Sequence, residues 1–220
     1  MKSELSFHGV KMEAIRAAGK DLAAELAGHD HAAVMEIADG LFRSRYFDIR
    51  SAAIALVERD KRRLEGADLD RLVDWVRRAH CWAHVDWIAS LVALVIAREP
   101  AEQRRVTRWA VDEDFWVRRL ALLALLGELR KGKGDFALFE RVATPMVEEK
   151  EFFIRKAIGW VLRETGKKRP ELTFQFLLRE RARVSGLTLR EGAKSLPAPM
   201  RKKLGLEPLA KAPRSTEAAS

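Results

Sequence analysis

Apolar residues recur along this chain every three or four positions and almost nowhere every two. Within residues 11–27, Met12, Ile15, Leu22 and Leu26 fall on one stripe, and Val34, Ile37, Leu41 and Phe42 repeat the arrangement in the next segment. That spacing gathers apolar side chains on one face of an α-helix. Strand signals are scarce: there is one Tyr, there are few Thr, and no run alternates apolar with polar. No proline occurs in the first 99 residues, and breaks fall at Gly28–Asp30, Gly66, Pro100, Lys131–Asp135, Gly166–Pro170 and Ser185–Gly186. The segments between them have ordinary helix lengths, so the pattern predicts an all-α protein. Thr188 and Glu191 stand at capping-box spacing and predict the start of a short late helix. Residues 1–206 are expected to form one domain. The small and polar residues of 207–220 are expected to form a disordered tail.

A repeat emerges when three segments are aligned on an apolar–Arg pair: YFDIRSAAIALV (46–57), FWVRRLALLALL (115–126) and FFIRKAIGWVL (152–162). Ile49–Arg50, Val117–Arg118 and Ile154–Arg155 superimpose, each with Phe or Trp just upstream. WAHVDWIASLV (82–92) fits the frame with Asp86 where the others carry Arg. Successive frames lie 36, 32 and 37 residues apart, close to the period of HEAT-type helix pairs. The predicted architecture is a HEAT-like helical-repeat solenoid, a curved superhelix whose concave side is lined by the second helix of each pair. Segments 46–57, 82–97, 115–129 and 152–165 are the expected inner helices. On this reading Arg50, Arg118, Arg155 and the neighbouring Lys156 form a basic stripe across the concave face; otherwise they are ordinary solvated positions.

Charge sharpens the question of partner. Forty-one Lys and Arg against 32 Asp and Glu give a net +9. A basic folded body favours a polyanionic partner. The longest uncharged apolar run, Trp87–Ala97, is too short to cross a bilayer, and MKSELSFHGVKMEA lacks the apolar core of a signal peptide. A cytoplasmic protein is expected. Cys81 is the single cysteine, which excludes an intrachain disulfide and suits a buried structural thiol.

Candidate chemistry is sparse. His80 and His84 have a ligand-like HxxxH spacing that would place both on one helix face, but no Glu follows the first His and no further ligand cluster exists, so no metal is expected. Phosphate-binding glycine loops and a Gly-x-Ser-x-Gly elbow are absent, so no nucleotide cofactor is expected. Trp82 and Asp86, four residues apart, share one helix face and set a carboxylate beside an aromatic plane. The plainer reading makes Trp82 a packing residue and Asp86 an exposed first-turn acid. Trp116, Arg119 and Trp160 have similarly plain readings.

The block EFFIRKAIGWVLRETGKKRPE (151–171) resembles the EFFIxKAIGWVLREhxKxxP pattern of the bacterial alkylpurine DNA glycosylases built of HEAT-like repeats, the AlkD type. Trp82–Asp86 (WAHVD), Trp116–Leu122 (WVRRLAL), Leu187–Lys194 (LTLREGAK) and Phe7–Val10 (FHGV) are similar to further motifs of that family, so the likeness spans about residues 7–205. The resemblance implies Asp86, Trp82, Trp160 and Arg119 as the catalytic set and alkylated double-stranded DNA as partner. It also implies excision of cationic N3- or N7-alkylpurines. A monomer without a cofactor is expected. Such a base leaves readily. The carboxylate would stabilise the oxocarbenium-like sugar or activate water, the tryptophans would pack on the sugar, and Arg119 would bind a phosphate. Excising members of the family usually carry further helices before the Phe-x-Gly step, where this sequence has only MKSELS. A non-catalytic DNA- or protein-binding solenoid therefore stands as the alternative.

Overall fold

The structure, a computed structural model, describes residues 4–207, and among them every regular element is helical. A single isolated bridge joins Ser6 to Tyr46. Thirteen α-helices follow one another: α1 (Met12–Glu25), α2 (His31–Phe42), α3 (Phe47–Asp60), α4 (Leu69–Ala79), α5 (Trp82–Arg98), α6 (Gln103–Trp109), α7 (Phe115–Leu123), α8 (Leu126–Arg130), α9 (Phe136–Ala143), α10 (Phe152–Gly166), α11 (Pro170–Arg179), α12 (Gly186–Gly192) and α13 (Ala198–Lys203). Helices α1, α3, α5, α7, α10 and α12 pack in that order as one row, and α2, α4, α6, α9 and α11 cover it from the other side. This is the HEAT-like stack of helix pairs that the repeat frame predicts. The four expected inner helices are consecutive neighbours. Of the tail expected at 207–220, all but Glu207 lies outside the described residues.

The core between the rows is continuous, and Phe42, Trp75, Phe139 and Phe176 are its largest fully buried side chains together with Met35. Burial of each contributes about 1.5–3 kcal/mol. Two glycines bring neighbours of the inner row close together. A Cβ on Gly19 would lie 2.5 Å from the Cβ of Ala55, and one on Gly159 would lie 2.7 Å from that of Glu191. Among the described residues no helix is long and apolar enough to cross a membrane.

Three local expectations need correction. The segment 115–129 is not one helix: it breaks at Ala124–Leu125 into α7 and α8. The late helix begins at Ser185, whose hydroxyl accepts the Thr188 N–H at 3.0 Å, so Thr188 is inside the helix and Glu191 is free for another role. The HxxxH pair does not share a helix. His80 ends α4 with φ +50, before α5 starts, while His84 is buried, stacked on Phe47 and within 2.9 Å of the Ser51 hydroxyl. Burial drops the His84 pKa to about 4, with the nearby Arg50 charge acting in the same direction.

Candidate active site

The inner row sets α5, α7 and α10 side by side. Asp114 caps α7 through the Trp116 N–H (2.8 Å), and Glu151 caps α10 through the Phe153 N–H (3.1 Å). These caps fix the register from which Arg119, Lys156 and Trp160 project. Trp82 opens α5 and remains 45% exposed. Together with Asp86, Arg119, Phe152, Phe153, Lys156, Trp160, Arg163 and Glu191 it lines a cleft of about 360 Å³. All four residues of the expected catalytic set therefore border one cavity, drawn from α5, α7 and α10.

Asp86 and Arg119 form a two-pronged ion pair: Nε donates to Oδ1 at 2.8 Å and Nη2 to Oδ2 at 2.9 Å. Arg119 also donates from Nη1 to the Phe153 carbonyl at 2.6 Å and is only 4% exposed. Its planar fork suits a carboxylate and leaves the charge of Asp86 compensated and fixed in direction. Burial pushes the Asp86 carboxyl above the usual carboxylate range, and Arg119 pulls it part of the way back. The expectation that Arg119 contacts a phosphate is not matched by this geometry. Its donors face Asp86 and a main-chain carbonyl.

The expected basic stripe has a different construction. Arg50 reaches six residues back to the Ser44 carbonyl (2.5 Å) and also to the Arg78 carbonyl, lies over the Phe42 ring, and is 9% exposed. Arg118 reaches back to the carbonyls of Asp112 (2.6 Å) and Glu113 (2.8 Å) and grips Glu149 through Nε and Nη2. Arg155 reaches back to the Lys150 carbonyl. The repeated arginine therefore pins the loop that enters its own helix, satisfying carbonyls that the turn leaves open. Arg50 is not positioned on an open face. Lys156, one residue past the repeat position, does border the cleft and donates to Glu191 at 2.9 Å.

Apart from Lys156, the sequence reading missed the cations that gather around two buried carboxylates. Glu191 is held by Lys156, Lys194 (2.9 Å) and Arg163, and Glu164 by Arg130 (3.3 Å), Arg163 (3.3 Å) and Lys167 (2.8 Å). Burial opposes ionisation of both acids, but these partners hold their pKa values below the ordinary range. Five cations around two acids leave an excess of positive charge beside Trp160. Residues 152, 156, 160 and 163 form one stripe of α10, with Lys167 just past its end, and counting helical turns outward from Trp160 would have found Arg163. Among the described residues no group of His, Cys, Asp and Glu is gathered to hold a metal ion.

Residues 1–196 match the family described as DNA alkylation repair enzyme. The fold is similar to that of a predicted DNA alkylation repair enzyme from Enterococcus faecalis, with a TM-score of 0.80 at 24% identity over 89% of this chain and 90% of that one. It is also similar to AlkD2 from Streptococcus mutans (TM-score 0.64, 17% identity, 86% and 92% covered) and to smu.31 from Streptococcus mutans UA159 (0.62, 17%, 84% and 99%). No curated protein matches the sequence.

Proposed function

The chain belongs to the family of DNA alkylation repair enzymes, and from that premise we propose that it is a glycosylase releasing N3- and N7-alkylpurines from duplex DNA. The observation that carries this reading is the Asp86 carboxylate, oriented by Arg119 in a cleft bordered by Trp82 and Trp160. An alkylated purine is already cationic and departs without a general acid. The barrier is the positive charge that develops on the sugar as the bond breaks. A preorganised carboxylate in a site shielded from water lowers that barrier. Trp82 and Trp160 offer electron-rich faces to the sugar. Arg119 acts through Asp86 rather than on the DNA. The phosphates are gripped by Lys156, Arg163, Lys194 and Lys167, whose excess charge flanks the cleft.

Purified protein is expected to release 7-methylguanine from methylated duplex DNA under single-turnover conditions. Duplex binding without release would replace this reading with that of a non-catalytic DNA-binding relative. Neither binding nor release would remove DNA as the partner.

A further inference from the structure

A second cavity, of about 210 Å³, lies between α5 and α8 and borders Asp86. Asp86 and Trp160 border both cavities, so the carboxylate stands where they meet. Small side chains keep this groove open. Asp86, Ser90, Ala93 and Ala97 lie at successive turns of one face of α5. Across from them Gly127 contributes no side chain, and a Cβ built there would lie 3.9 Å from the Cβ of Ala93.

We propose, on the glycosylase reading above, that this groove delivers the water that captures the sugar. A nucleotide seated between Trp82 and Trp160 closes the cleft side to bulk solvent, so the nucleophile needs another approach to the same carboxylate. Each Asp86 oxygen accepts one hydrogen bond from Arg119, which leaves each a lone pair for a water. The Ser90 hydroxyl, one turn along, donates to the Trp87 carbonyl at 2.7 Å, and its lone pairs accept from a water held there. In the reaction the C1′–N bond breaks and its electron pair leaves with the purine, neutralising the base. The water oxygen bonds to C1′ and its proton passes to Asp86, then back to solvent along the groove. The elevated carboxyl pKa of Asp86 suits it to hold that proton briefly.

The route is read by letting methanol compete with water. Wild type, Ala93→Leu and Gly127→Leu are compared in dilute methanol on methylated duplex, measuring the ratio of methyl glycoside to abasic site. Because Leu narrows the groove and methanol is the larger nucleophile, the ratio is expected to fall about tenfold in the variants, the scale on which a pocket rejects one extra carbon. Thermal unfolding and duplex affinity near wild type verify their folding, and two variants from opposite walls guard against loss of one. An unchanged ratio in a folded variant overturns the groove while leaving the glycosylase reading intact. No base release by wild type overturns both.

Discussion

Asp86 and Arg119 lie 33 residues apart, on neighbouring inner helices, yet each oxygen of the one receives its own N–H from the other. Replacing Asp86 by Asn keeps the shape and removes the charge opposite the sugar cation. Excision is expected to fall by about a hundred-fold, or about 3 kcal/mol of barrier, the scale of losing one preorganised electrostatic partner. Affinity for undamaged duplex should not weaken, because a negative charge has been removed. Single-turnover release at saturating protein, beside a binding titration, checks both halves.

Arg119→Met separates positioning from phosphate binding. Catalysis needs Asp86 ionised, so the rate rises with pH through a carboxyl pKa that burial already raises. Without the Arg119 fork that pKa rises further, and the acid limb of the rate profile moves to higher pH. A phosphate contact would instead appear as weaker binding with the acid limb in place.

The arginines of the repeat frame should govern stability more than DNA binding. Arg50→Ala leaves the carbonyls of Ser44 and Arg78 without their partner and is expected to cost about 1–3 kcal/mol of folding free energy. Its salt dependence of duplex affinity should match wild type. Replacing Arg163 and Lys194 together should flatten the slope of log affinity against log salt by nearly two phosphate contacts, about 1.8 units.

Gly159→Ala tests the seam between α10 and α12. The new Cβ would meet Cβ and Cγ of Glu191 at 2.7 and 2.9 Å, and these atoms sit at the base of a buried side chain. Chemical denaturation should show a loss of about 1–3 kcal/mol, the range for overpacking a tight contact.

His31 gives the fold a pH dependence of its own. Its ring lies between Asp60 (2.6 Å) and Asp68 (3.0 Å); burial disfavours its charge, but the hydrogen bonds to both acids outweigh that and raise its pKa. The stabilisation is full below the unfolded value of 6.5 and disappears as pH rises through the higher folded value. For a partly exposed site it amounts to less than about 1 kcal/mol. Melting curves should show wild type losing this margin as pH rises above neutral, and His31→Gln lacking the loss.

Four helices of the inner row, α3, α5, α7 and α10, were legible in the sequence because each opens on an aromatic pair or a Trp and continues with aliphatics at helical spacing. The pairing of Trp82 with Asp86 was legible for the same reason, since it needs only one helix. What Arg50, Arg118 and Arg155 do was not legible. A repeated charge reads as a solvated stripe, and the carbonyls it serves belong to loops whose course spacing does not specify. Two of the three partners of Glu191 were equally hidden: Lys156 and Arg163 are 35 and 28 residues distant, and only the packing of α10 on α12 brings them to it. The break at Ala124–Leu125 carries no proline or glycine at the break itself and so left no mark in the pattern.

Arg119 holds Asp86 of α5 with one edge of its guanidinium and the Phe153 carbonyl of α10 with the other. It is therefore a tie between the first and third helices of the cleft, anchored on the second. Any bending of the helical stack that spread α5 from α10 would have to stretch this tie before Trp82 and Trp160 could move apart. The aperture between the tryptophans and the aim of the carboxylate are thus a single mechanical variable, set by one side chain.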